Sequence, residues 1–572
     1  MSTVDVAEVL WLLLAALGLN VVVGFGGQPM LGQGAFVAIG AYGTVLLAGR
    51  GDLPLGAAVL LSVVLAAALG WVVAFGSARL RGAHLALATW GLAWLVHSVL
   101  VAFPGTFGGS QGLVRPAPAR LVSRFLGVEV TLTPTVHVVL AGLLCAAVLL
   151  ATRSIARGPV GLDLAALRAG QAAAESLGLP AAALRRSTLA VAAALGAMSG
   201  AGTAVLLGLV APSDVSPLLS VELLVAVLIA GTASTYGPVV GVAVLVALPH
   251  LADRVADVAG LEVERSRGVL TAALLLVVVA SGARRRSGVA RDRLPADAPA
   301  APPRSDDTSL HEPGGVVLAV RDLRHAYGGV RVLDGIDLDL RAGEVHAVAG
   351  PNGSGKTTLL RLLAGALPVQ AGQLRLGGDD VTALDQRGRV LRGVVRTFQA
   401  TSLFPGLTVS DHLAVGSRST ERAGVAWRAA LRTPSWQAAA ASSGAERERL
   451  ARAAGLTARR RTPAEQLSHG EQRVLQVVRA AATRPRVLLL DEPAAGMSPA
   501  ELDRLAALVR DLAGNGVGVL LVEHDMRFVA RVADRLTVLA DGHVLSTGRP
   551  ADVRRDAAVR AAYLGTAPEA PA

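Results

Sequence analysis

The sequence predicts two folds in one chain: an all-α polytopic membrane domain followed by an α/β domain with a largely parallel sheet. Three observations predict it. Hydrophobic residues make up 52% of the chain and charged residues 17%, a balance too apolar for an ordinary soluble protein. The apolar content is uneven, with long uncharged stretches in residues 1–282 and a soluble composition beyond them. Residues 316–565 alternate strand-like and helix-like runs, the pattern of an α/β domain. At 572 residues the chain has room for both.

In the first part, apolar segments approach the roughly 20 residues needed to cross a bilayer. They fall near 6–23, 33–49, 54–76, 83–103, 134–152, 188–210, 218–233, 236–255 and 268–282. The start has no basic region ahead of its first apolar run, so no cleavable leader is expected. Arginines orient the spans. Arg79 and Arg81, the stretch from Arg153 to Arg186, and Arg284 to Arg286 mark the cytoplasmic side, leaving 104–133 and 211–217 outside. Arg115, Arg120 and Arg124 in the outer loop run against that rule. Gly196, Gly200 and Gly202 have the spacing that lets helices approach closely in lipid. His97, His137 and Glu222 are ionisable groups within spans, a residue class that often lines pathways. For Glu222, two residues after Ser220, the competing role is to complement a helix dipole.

Residues 283–315 are rich in Pro, Ala, Arg and Asp and nearly free of large apolar side chains, so they read as a flexible cytosolic linker. Residues 566–572 read as a disordered tail. The net charge of +11 raises nucleic acid as a partner, but aromatics are only 3% and no basic stripe interleaves with them. No nucleic-acid partner is expected, and positive cytoplasmic loops account for much of the excess. A single cysteine, Cys145, lies in an apolar stretch, which fits a soluble part kept in the cytosol.

The chemistry concentrates in the second part. Gly350-Pro-Asn352-Gly353-Ser354-Gly355-Lys356-Thr357 fits G-x-x-x-x-G-K-[ST] between a β-prone run, 345–349, and a helical run ending at Gly365. Glycines let such a loop wrap a phosphate with its N–H groups pointing inward, and the helix N-terminus adds favourable charge. Lys356 is the one lysine in the chain; every other basic side chain apart from histidine is arginine. A composition that has replaced lysine elsewhere keeps it where a compact ammonium must reach the β and γ phosphates. Thr357 is the expected Mg²⁺ ligand, with Thr358 beside it. Arg486-Val-Leu-Leu-Leu-Asp491-Glu492-Pro is an apolar strand that would deliver Asp491 to Mg²⁺ and Glu492 to the attacking water as general base.

With these motifs the stretch 316–565 resembles the ABC ATPases, a P-loop NTPase family. Leu467-Ser468-His-Gly470-Glu471-Gln472 is similar to the family's signature loop, although read alone it is an ordinary helix-capping pattern. The resemblance implies that Ser468 and Gly470 contact the γ-phosphate held by an opposite ATPase, with Glu471 in the same loop. It implies that Gln399 senses Mg²⁺ and the permease, that His524 acts as a γ-phosphate switch beside the catalytic Glu492 and Lys356, and that Tyr327 stacks on adenine. ATP and Mg²⁺ are the expected cofactors. Ser498 stands where many members carry Asp, which puts the cross-dimer contacts of that loop in doubt.

The membrane part narrows the family. Gly26 to Tyr42, Leu80 to Thr89, Phe107 to Leu113, Leu167 to Gly178 and the stretch through Glu222 to Gly237-Pro resemble permeases for branched-chain amino acids. Asp491-Glu-Pro-Ala-Ala-Gly-Met, Glu523-His-Asp-Met and the insert at 417–462 resemble the ATPase subunits of the same transporters. The resemblance implies an importer of branched-chain or related amino acids in the cytoplasmic membrane, with the ATPase in the cytosol. A second permease, a second ATPase and an external substrate-binding protein are the implied partners, alongside membrane lipid and the small-molecule substrate. A urea or short-amide importer and a membrane-anchored regulatory ATPase are the rival readings. Ala165 to Gly178 reads as an amphipathic helix, broken at Gly178, that docks on an ATPase near Gln399.

Overall fold

The computed structural model describes residues 2–51, 53–76, 83–114, 120–123, 128–229, 231, 233–259, 273, 276, 314–399, 402–417 and 434–564. The chain divides into two compact units. One is Met1–Arg168 with Ala181–Leu294; the other is Ala169–Pro180 with Pro295–Ala572. The expected last span, 268–282, lies outside the described residues apart from 273 and 276. So do Arg79, Arg81, Arg115, Arg124, Arg284 to Arg286, nearly all of the linker and the tail.

In the first unit, helices occupy the other expected spans: Thr3–Asn20, Gln33–Gly49, Leu55–Gly76, Ala83–Ala102, Pro134–Arg157, Ala181–Leu207, Pro217–Ile229 and Gly237–Ala259. Among the described residues, five segments are long and apolar enough to cross a membrane; Gln33–Gly49 and Pro217–Ile229 are shorter. The first helix starts with a capping box, in which Ser2 and Asp5 satisfy each other's backbone N–H groups. Glycine decides how closely the helices pack. A Cβ at Gly200 would lie 1.9 Å from the Val37 carbonyl oxygen, and one at Gly40 2.0 Å from that of Ala197. The helices Gln33–Gly49 and Ala181–Leu207 therefore meet backbone to backbone. His137 is buried, and Trp11 Nε1 donates to its Nδ1 at 3.3 Å, so this histidine ties two helices together.

The second unit is built on a six-stranded sheet. Its order is Val394–Arg396, Val487–Asp491, Gly518–Val522, Val345–Ala349, Arg535–Ala540, His543–Gly548. The first five strands are parallel and the last pairs antiparallel. Val345–Ala349, Val487–Asp491 and Gly518–Val522 are buried throughout, as strands covered on both faces must be. A four-stranded antiparallel sheet, led by Val316–Tyr327 and Val330–Arg341, packs its apolar residues with the helix Lys356–Leu363.

The helix expected over Ala165 to Gly178 differs in detail. It is already broken at Gly170, whose φ of −173° and ψ of 95° are extended, giving Pro159–Ala169 and Gln171–Glu175. Gly178 then turns the chain with a φ of 82°. Ala173, Ala174, Leu177 and Leu179 are buried in this segment. A Cβ at Gly170 would come within 4.0 Å of the Phe404 ring.

Candidate nucleotide site

The phosphate-loop motif joins the central strand Val345–Ala349 to the helix Lys356–Leu363. Two of its glycines are fixed by close approach. A Cβ at Gly350 would lie 2.2 Å from the Leu539 carbonyl oxygen, and one at Gly355 2.5 Å from Leu333 Cδ2. Gly353 has open space around it and is needed for its φ of 86°. Asn352 and Gly353 are exposed, Ser354 is buried, and Thr357 and Thr358 are half-buried in the first turn of the helix. Lys356 Nζ donates to the carbonyls of Gly350 and Pro351, each at 2.8 Å, and to Ser354 Oγ at 3.3 Å. Burial pulls its pKa down, while the Glu492 and Asp491 carboxylates push it up, so the lysine lies within electrostatic reach of both. The C-terminus of the helix is held by buried Arg389, which donates to the Leu362 and Leu363 carbonyls.

Asp491 ends its strand almost fully buried. Its Oδ2 accepts from Arg396 Nη2 at 2.8 Å, while its Oδ1 is buried without a hydrogen-bond partner among the described residues. A buried carboxylate oxygen left over is a poor feature of a core and a good one for a divalent cation. The donor set therefore fits Mg²⁺. Glu492 follows with a φ of 45°, a left-handed backbone that a glutamate adopts only under constraint. Its N–H donates to the Val522 carbonyl, and Gln399 Nε2 donates to its Oε2 at 2.8 Å. The structure thus brings Gln399 to Glu492.

The signature loop opens the helix His469–Ala481. Ser468 caps it in a box with Glu471. Ser468 Oγ also donates to Glu501 Oε1 at 3.2 Å, and a Cβ at Gly470 would fall 2.1 Å from that carboxyl group. Ser498, the departure from the family pattern, caps the next helix with the same Glu501. Tyr327 is half-exposed at its strand end, its ring edge-on to His325. The His524 side chain is 64% exposed, its Nδ1 3.9 Å from Glu523 Oε2. The described contacts do not bring His524 to Glu492.

Sequence reasoning missed the groups that hold these residues. Arg396 pairs with Asp491. Gln476 donates to the Phe398 carbonyl at 2.7 Å, Arg473 to that of Gln399, and Arg479 to that of Ser402 at 2.8 Å. The residues recur three apart, one face of the helix, gripping the backbone around Gln399. Three long polar side chains at that spacing on a buried helix were the available signal. Glu523 Oε1 accepts from the Ala494 N–H at 2.8 Å, and burial pushes its carboxyl pKa up.

A parallel sheet that delivers a glycine-rich loop, a helix N-terminus and an acidic strand end to one edge defines a nucleotide-hydrolysing domain, here in one chain with a helical membrane unit. The family models agree. Residues 333–495 match the model described as ABC transporter, residues 6–279 that of the branched-chain amino acid transport system permease component, and residues 543–569 that of the branched-chain amino acid ATP-binding cassette transporter. The high-affinity branched-chain amino acid transport ATP-binding protein BraF of Pseudomonas aeruginosa is 36% identical over 44% of this chain and 98% of its own length. LivG of Escherichia coli, a protein of the same description, is 35% identical over the same shares. A solved nucleotide-free ATP-binding cassette from an ABC transporter is 25% identical, covers 44% of this chain and 99% of its own, and has a TM-score of 0.39. The chain belongs to the ABC transporters of the branched-chain amino acid system, with a permease component and an ATP-binding ATPase component joined in one polypeptide.

Proposed function

We propose that this chain is the fused permease–ATPase component of an ATP-driven importer for branched-chain or related amino acids. The observation that carries the reading is that both halves, matched separately, lead to one transport system. The proposed boundaries are 1–282 for the permease, 283–315 for the linker and 316–565 for the ATPase. The permease lies in the cytoplasmic membrane and the ATPase in the cytosol. The working assembly adds a second permease, a second ATPase and an external substrate-binding protein.

At the nucleotide site, backbone N–H groups of 352–355 wrap the phosphates, and Lys356 turns its ammonium from loop carbonyls to the β and γ phosphates. Thr357, Gln399 and Asp491 hold Mg²⁺, which neutralises charge building on the phosphate oxygens when bound. Glu492, held by Gln399, takes the proton of the attacking water. Ser468 and Gly470 serve the nucleotide of the opposing ATPase, and Glu501 must release Ser468 for them to do so. The segment Ala169–Pro180, grouped with the ATPase residues, carries the closing motion to the spans.

The test is uptake of labelled leucine and of labelled urea in a strain deleted for the gene. Leucine uptake is lost on deletion, is restored by the chain, and is not restored by Lys356→Ala. Restored urea uptake with no leucine uptake would move the substrate to short amides. ATP turnover indifferent to any external ligand would replace import by a regulatory role.

A further inference from the structure

Two short helices of the permease unit begin deep inside it. Gln33, at the start of Gln33–Gly49, donates from Nε2 to the carbonyls of Ala15 and Ala192 at 3.1 and 3.0 Å. Those carbonyls lie near the middle of the long apolar segments Thr3–Phe25 and Ala181–Leu207. Ser220, at the start of Pro217–Ile229, accepts at its Oγ from the Gly34 N–H at 2.8 Å. Both short helices therefore start at mid-membrane depth. Glu222 lies two residues past Ser220, about 3 Å further along the axis.

Pro217–Ile229 buries one face, with Ser220, Leu223, Ala226 and Val227 shielded. Its other face is uncovered: Leu218 is 67% exposed, and Glu222, one turn on, is exposed too. This is a carboxyl group on the outer surface of a permease at the depth where lipid tolerates charge least. Membrane proteins start helices at such depth where protein or a water-filled path surrounds them. Lipid is therefore the wrong neighbour for this face. Gln33 Oε1, buried without a hydrogen-bond partner among the described residues, adds a second polar atom at the same level.

We propose that Glu222 faces the translocation path, where this permease meets the second permease, and that its carboxylate receives the ammonium group of the passing amino acid. The ammonium assignment rests on the import of amino acids; the placement on the path does not. A carboxylate at this point favours a zwitterion over neutral urea, which offers no cation to pair with it.

The test uses the full chain, assembled with its partners in lipid vesicles, with Cys145 replaced by Ala. Glu222→Cys and Leu218→Cys are each exposed to a charged methanethiosulfonate and to a lipophilic maleimide. Leu60→Cys, at a residue 63% exposed on Leu55–Gly76, is the lipid-facing control. Cysteines at 222 and 218 react with the charged reagent while that at 60 reacts only with the lipophilic one. Glu222→Gln lowers leucine uptake roughly tenfold, the worth of one charge-assisted hydrogen bond, and Glu222→Asp recovers most of it. A cysteine at 222 that behaves like that at 60 overturns the placement, and full uptake by Glu222→Gln overturns the ammonium contact. If the wild type imports no leucine while the cysteine at 222 takes the charged reagent, the substrate reading fails and the placement stands.

Discussion

At the scale of single residues, the strained backbone of Glu492 and the leftover oxygen of Asp491 carry the most information. Conformational strain at Glu492 is kept only where the surroundings impose it, and here they aim the carboxylate at Gln399. Glu492→Gln keeps the shape and removes the base. It binds ATP normally and loses hydrolysis by about 10²- to 10⁴-fold, measured as phosphate release against nucleotide binding. Gly470→Ala drives a methyl into the Glu501 carboxyl group. ATP turnover falls, and pairing it with Glu501→Ala restores part of the loss if that collision is the cause. Most of the proposed nucleotide contacts were legible because phosphate binding fixes residue type and spacing locally. Arg396 was not. It sits 95 residues from Asp491, and only the pairing of Val394–Arg396 with Val487–Asp491 makes them neighbours.

At the scale of elements, the helix His469–Ala481 links the signature loop to the Gln399 loop. Arg479 is fully buried, stacks its guanidinium 4.7 Å from the Phe404 ring centre and donates to the Ser402 carbonyl. Arg479→Ala removes the donor and the stacking together, and costs about 1–3 kcal/mol, read by denaturant unfolding of the cassette. The Phe404 ring also stacks on His412, whose Nε2 accepts from the Phe404 N–H and whose Nδ1 faces the Thr408 carbonyl. Burial pushes the His412 pKa down to about 3, and burial also pushes His346 down to about 4. Below about pH 6.5 the unfolded chain protonates both rings while the folded chain does not. Stability from these groups is therefore complete above pH 6.5 and drains away as pH falls toward 4 and 3. Melting temperature drops across that window, and His412→Asn has a shallower drop.

At the scale of the whole molecule, chemistry in one unit must reach spans in another. Replacing Lys356 by Ala leaves the permease helices intact, since the described hydrogen bonds of Lys356 stay within its own loop and its charged neighbours Asp491 and Glu492 belong to the same unit. Vesicles carrying that variant contain the assembled transporter and accumulate no leucine, measured as label retained with ATP on the ATPase side. Gly202→Leu acts from the other end. A Cβ at Gly202 already meets the Trp11 ring at 2.3 Å, so the larger side chain separates Thr3–Asn20 from Ala181–Leu207 and lowers the amount of chain recovered from the membrane.

By itself the sequence determined the two fold classes, most of the spans and the identity of the residues in the phosphate loop and the acidic strand end. Each of these is set by local physics: the length of an apolar run, the period of a pattern, the glycines a phosphate needs. Only the tertiary structure decided that the amphipathic segment breaks at Gly170, that Arg396 holds Asp491, that Glu501 reaches Ser468 of the signature loop and that Glu222 stands uncovered on Pro217–Ile229. Those facts depend on which backbone lies beside which, and a carboxylate or an arginine has no local pattern that names its neighbour.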